Sequence, residues 1–102
     1  MFRQGDVLLV PVTELPSGRP IEPDGDRLVL ARGEATGHHH SIAVEDGELI
    51  DTAEGVFLRI MAPTPLEHQE HGAIALQPGL YRVLRQREYV PGAVERMVGL
   101  LD

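Results

Sequence analysis

All five histidines of this chain fall in two short segments. His38, His39 and His40 lie within Gly37-His38-His39-His40-Ser41, and His68 and His71 within Glu67-His68-Gln69-Glu70-His71-Gly72. Imidazole is the commonest protein ligand for transition metals. Two such segments can close on one ion if the fold brings them together. In a strand, side chains alternate between faces, so His38 and His40 would share one face while His39 takes the other. His68 and His71 are three apart, which sets them side by side in a helical turn and lets them converge in a loop. Glu70 lies between them as a ligand, a partner orienting a ligand, or a general base. It is the first candidate for proton transfer. The metalloprotease pattern needs histidines four apart with a glutamate next to the first, and this segment lacks it.

The expected ligands are His38, His40, His68 and His71, with a carboxylate close by. Such nitrogen and oxygen donors suit zinc, iron, nickel or manganese. Three protein ligands with an open position would allow the metal to activate water or bind a small substrate. Four closed ligands would make the ion structural, in a non-enzymatic interaction or accessory module. The spacing is also compatible with a homo-oligomer whose site forms between subunits.

Composition narrows the chemistry further. The chain has no cysteine, so thiolate sites and disulfides are excluded. It has no lysine, which excludes Schiff-base chemistry and a GxxxxGK phosphate loop. A net charge of −7 argues against nucleic acid as a partner. No segment reaches the length of a membrane span and no signal-peptide pattern opens the chain, so a cytoplasmic setting is expected.

The elements that must position the histidines read as strands. Short apolar runs are broken by Gly, Pro and Asp, which predicts a mainly β fold. Strands are expected over Val7 to Val12, Arg27 to Arg32, His38 to Val44, Glu48 to Asp51, Val56 to Met61, Ala73 to Leu76 and Leu80 to Leu84. The first is apolar throughout, as in a strand buried on both faces. Asp46-Gly47 reads as a hairpin turn. Glu14 to Gly25 reads as a long loop, and Pro63-Thr64-Pro65 as a break in the sheet. Ala93, Val94, Met97, Val98 and Leu101 recur at helical spacing, predicting a short C-terminal helix. At 102 residues this is one domain, a small barrel or sandwich spanning 1–102. Arg85, Arg87 and Tyr89 would share a face of a prolonged last strand, where surface ion pairing is the expected role.

Two resemblances bear on the site. Gly33, His38, His40 and Glu45 resemble the first cupin motif, in which a glycine precedes two alternate histidines and a glutamate follows. In metal-binding cupins those two histidines, the glutamate and a later histidine hold one metal. The resemblance therefore implies Glu45 as a ligand, with His68 or His71 as the last. It covers Gly33 to Glu45 alone. The whole chain resembles a group of small bacterial proteins. They share Gln4-Gly5-Asp6-Val7-Leu8-Leu9, then Gly33-Glu34 with Thr36-Gly37-His38 and His40, then His68 with Glu70-His71. Gly79-Leu80-Tyr81-Arg82-Val83 and Gln86-Arg87-Glu88-Tyr89 complete the pattern. That group implies no particular activity.

Overall fold

The computed structural model describes residues 1–33 and 37–86. The expected C-terminal helix, and Arg87 and Tyr89, lie outside them. Ten strands are present among the described residues: β1 (Phe2–Gln4), β2 (Val7–Val12), β3 (Gly18–Pro20), β4 (Arg27–Arg32), β5 (His39–Ala43), β6 (Gly47–Thr52), β7 (Gly55–Ile60), β8 (Thr64–Leu66), β9 (Ile74–Leu76) and β10 (Gly79–Arg85). Six form one antiparallel sheet in the order β1-β2-β10-β7-β6-β3. Two hairpins, β4–β5 and β8–β9, make a second layer. They are joined where Ser41 and Glu67 exchange both backbone hydrogen bonds, at 3.0 and 2.9 Å. The fold is mainly β, as the apolar runs predict.

Alternation decides which side chains fill the space between the layers. Val83 pairs with Leu9 across one register and with Val56 across the other, and Tyr81 pairs with Leu58. These face Leu28 and Ile42 from the β4–β5 hairpin, and Leu66 and Leu76 from β8–β9, in one apolar core. Each fully buried Leu or Ile contributes roughly 1.5–3 kcal/mol relative to exposure. The interior strand β2 is buried on both faces: Val7, Leu8, Leu9 and Val10 are all at most 3% exposed.

The layer change between β5 and β6 corrects the expected hairpin. These strands do not pair with each other; β5 pairs with β4, and β6 with β7. A 3-10 turn over Val44–Asp46 carries the chain from one layer to the other. The Asp46 carbonyl accepts the Met61 amide at 2.8 Å, which closes this end of the core. Gly47 is needed for close approach rather than for a turn. A Cβ there would stand 2.5 Å from the Arg59 carbonyl oxygen and 3.0 Å from Ile42 Cδ1. Gly47→Ala is therefore expected to cost about 2 kcal/mol by overpacking, read as a lower denaturant midpoint at unchanged slope. A midpoint within error of wild type would show that β6 can move off Arg59.

Three short strands lie where none was expected. β3 falls in the proline- and glycine-rich stretch and is fully exposed, consistent with an edge strand, where proline is tolerated. β8 holds Thr64-Pro65-Leu66, with Thr64 and Leu66 buried and Pro65 exposed. β1 forms a hairpin with β2 through Gly5-Asp6. Gly5 has φ +58°, which a glycine at the first turn position supplies without strain. That hairpin places the Gln4-Gly5-Asp6 turn against the histidines.

Candidate functional site

Three segments meet at the open end of the two layers: the Gln4-Gly5-Asp6 turn, the start of β5, and the loop after β8. The His40 ring centroid is 4.4 Å from that of His68 and 6.2 Å from that of His71. The His68 ring is 4.6 Å from that of His71 and 5.5 Å from that of His38. His39 turns away as strand alternation requires. Its backbone N–H donates to Gln69 Oε1 at 2.9 Å, and Gln69 Nε2 reaches its Nδ1 at 3.3 Å.

His40 is the fixed point of the group, at 3% exposure. Gln4, also buried, orients it. Gln4 Nε2 donates to the carbonyls of Leu66 at 2.8 Å and Gly72 at 2.9 Å. Both amide protons are then used, so Gln4 Oε1 must accept the Nδ1–H of His40 at 2.8 Å. A neutral His40 therefore carries its lone pair on Nε2, which lies 3.4 Å from Asp6 Oδ1. The other Asp6 oxygen is held by Arg85, with Nη2 at 2.9 Å and Nε at 3.3 Å. The Arg85 hydrogen bond keeps the Asp6 carboxyl below the usual carboxylate range, against the weaker upward push of burial. Burial, then the positive charge that His68 can carry, pushes the His40 pKa down to about 4. The Asp6 charge pulls the other way and is outweighed.

The remaining rings differ in readiness. His38 Nδ1 lies 3.3 Å from Glu70 Oε1, which sets its proton on Nδ1 and its lone pair on Nε2. That is the carboxylate–histidine arrangement used to orient metal ligands. Glu70 thus sits where the sequence offers an orienting partner. His68 is turned the opposite way. Its Nδ1 accepts the backbone N–H groups of Glu70 at 3.0 Å and His71 at 3.2 Å, so the neutral ring carries its proton on Nε2. Burial and the neighbouring His71 and His38 hold its pKa below the ordinary value. His71 packs on the turn: a Cβ at Gly5 would stand 2.6 Å from His71 Nε2.

Ring proximity is not metal geometry. Among the described residues no three ligand-type groups are arranged to hold an ion. The His40 and His71 planes lie within 11° of each other, with His68 tilted by about 40° to both. Imidazole lone pairs lie in the ring plane, so rings packed this way send them past one another. Glu45 is not brought to the group. It is exposed on the 3-10 turn beyond the far end of β5, five residues from His40. The extended stretch from His40 to Ala43 alone covers about 10 Å and leads away from the other histidines. The carboxylate beside His40 is Asp6, which the sequence reading did not single out. The available signal was the Gly5-Asp6 pair just before the most buried strand.

A shallow cavity of about 370 Å³ opens beside His68 and His39, with Arg27 and Glu67 on its wall. Arg27 is held there by Ser41 and by Glu67 at 3.1 Å.

One family model matches, a domain of unknown function (DUF8820), over residues 3–86. The match takes in every residue of the site and carries no cupin relationship, so the likeness at Gly33 to Glu45 remains one of local sequence. No curated protein matches the chain, and no solved structure does. With 84 of 102 residues inside the match, the chain belongs to the DUF8820 family.

Proposed function

We propose that this domain binds one divalent transition metal through its histidines, drawing ligands from His38, His40, His68 and His71, with Asp6 as the carboxylate. The observation that supports this most is the setting of His40. A buried imidazole with its Nδ1–H fixed on Gln4 presents its Nε2 toward a carboxylate oxygen at 3.4 Å. When both groups are unprotonated, two acceptors face each other there, and a cation between them removes the repulsion. His71, its ring 6.2 Å from that of His40, and His38, its ring 5.5 Å from that of His68, would supply further nitrogens, and Glu70 orients His38. His68 joins only by giving up its two backbone hydrogen bonds. The donor set favours zinc, iron, nickel or manganese over calcium or magnesium, which prefer all-oxygen shells. A metal held here would supply Lewis-acid chemistry, the cavity beside His68 has room for water or a small substrate, and Glu70 would be the candidate for proton transfer.

A second reading has its own support. The His68 bonds to Glu70 and His71 brace the loop without any ion, as in a non-enzymatic module whose histidines are structural. Elemental mass spectrometry on tag-free protein separates the two, with His38→Ala and His68→Ala alongside. The metal reading expects near-stoichiometric metal in the wild type and a loss of about tenfold or more in both variants. A metal-free wild type, or loss in the His38 variant alone, would put the structural module in its place.

A further inference from the structure

The shallow cavity beside His68 and His39 lies on the outward face of the second layer. Leu28 and Ile42 pair across β4 and β5 and point into the core, so alternation turns Arg27, His39 and Ser41 outward. Glu67 is bridged to Ser41 and shares their side. His68 and Gln69 complete the wall, and none of the six lining residues has a hydrocarbon side chain. Small-molecule sites are ordinarily lined mostly by apolar groups, so this wall selects a hydrophilic ligand. Its one cation and its one carboxylate already hold each other, with Arg27 Nη2 3.1 Å from Glu67 Oε1. Arg27 Nη2 and Nε also donate to the Ser41 carbonyl and hydroxyl. Arg27 Nη1 meets no acceptor among the described residues, and the second Glu67 oxygen meets no donor; the two side chains are 26% and 54% exposed. Gln69 spends its carbonyl on the His39 amide and one N–H on His39 Nδ1, which leaves one N–H. With the histidines neutral, unused donors and acceptors stand together on a wall of no net charge.

We propose that this cavity binds a neutral sugar. A hydroxyl both donates and accepts, so neighbouring hydroxyls of one ring satisfy Arg27 Nη1–H and the free Glu67 oxygen together without parting the ion pair. An anion would have to compete with Glu67 for the guanidinium, and a cation with Arg27 for the carboxylate. The net charge of −7 sets an anion at a further disadvantage. A volume of about 370 Å³ is at the low end of small-molecule sites, which suits a single ring. The shallow wall leaves part of that ring in water, so binding is weak. It needs no metal. Only chemistry on the bound sugar rests on the metal reading, since His68 belongs both to this wall and to the imidazole group.

The full chain, in chelator, is titrated singly with D-glucose, D-mannose, D-galactose and D-xylose by two-dimensional amide NMR, with glucuronate, glucosamine and glycine as comparisons. At least one neutral sugar is expected to saturate, moving the Ser41, Glu67 and Gln69 amides. It should bind about fivefold or more weakly to Arg27→Gln and to Glu67→Gln, the worth of one ordinary hydrogen bond. Glu67 is half exposed, so its variant keeps the fold if Arg27→Gln does not. Four sugars that leave those amides unmoved, or a sugar that binds the folded variants as tightly as wild type, overturn the site. Glucuronate, glucosamine or glycine binding more tightly than every neutral sugar overturns the neutral class. Because the chelator keeps metal from the histidines, failure here leaves the metal reading standing, and a metal-free wild type leaves this site standing.

Discussion

Gln4→Leu is expected to cost about 4 kcal/mol, roughly the sum for three polar groups left unsatisfied, although leucine is close to glutamine in size. The side chain is 3% exposed and makes three hydrogen bonds at once. Leucine would strand the Leu66 and Gly72 carbonyls and the Nδ1–H of His40. It would also remove the two donations that tie β1 to the end of β8 and to the loop after it. Gln4→Glu separates the parts of this effect. It keeps an acceptor for His40 but turns a carboxylate on two carbonyls, so it should also be strongly destabilising, with the His40 pKa raised by the new charge. Urea titration at neutral pH, with the His40 ring followed by NMR, reads both quantities. A Gln4→Leu protein within about 1 kcal/mol of wild type, the net worth of one ordinary hydrogen bond, would show that this amide does not hold the site together.

Gln4 also marks where sequence reasoning stopped. The long strands were legible because each buries an apolar face with a clear period. Val7 to Val12 and Arg27 to Arg32 fall where the runs place them. β9 was legible as well, whereas β1, β3 and β8 were not; β3 and β8 carry prolines that act as breakers unless an edge position excuses them. Asp46-Gly47 misled for a physical reason. A glycine demanded by a neighbouring carbonyl looks the same in sequence as one demanded by a turn. At the site, alternation in β5 separated His39 from its neighbours. The meeting of the two histidine segments depends on the Ser41–Glu67 bridge, a contact that no local pattern encodes. Asp6 and Gln4 come from the opposite end of the chain, and a polar residue beside a tight turn ordinarily needs no partner.

Metal-free protein is expected to lose stability as the pH falls from 6.5 toward 4. Two effects compete at His40. The Asp6 carboxylate 3.4 Å away favours the imidazolium, and burial disfavours it. Burial wins because Asp6 is half exposed and one of its oxygens is held by Arg85, so its charge is spent largely elsewhere. The folded pKa is therefore about 4, against 6.5 for the free side chain. Above pH 6.5 the ring is neutral in both folded and unfolded chains, and its contribution is fully present. Between 6.5 and 4 the unfolded chain takes up a proton that the folded chain refuses, and stability drains away. Below 4 both forms are protonated and the loss levels off at about 3 kcal/mol for this group. His68 is shifted in the same direction and steepens the same interval. Asp6 is shifted down too, but for a carboxyl the sign puts its loss lower, as the pH falls through and below 3.8. Denaturant titrations in chelator from pH 7.5 to 4.5 test this, with His40→Gln as the comparison. Wild type should lose about 2 kcal/mol or more over that range, and the variant clearly less. A wild-type protein that gains stability on acidification would mean that the Asp6–imidazolium pair outweighs burial. His40 would then be a charged anchor at neutral pH, with its Nε2 already occupied by a proton and closed to a metal.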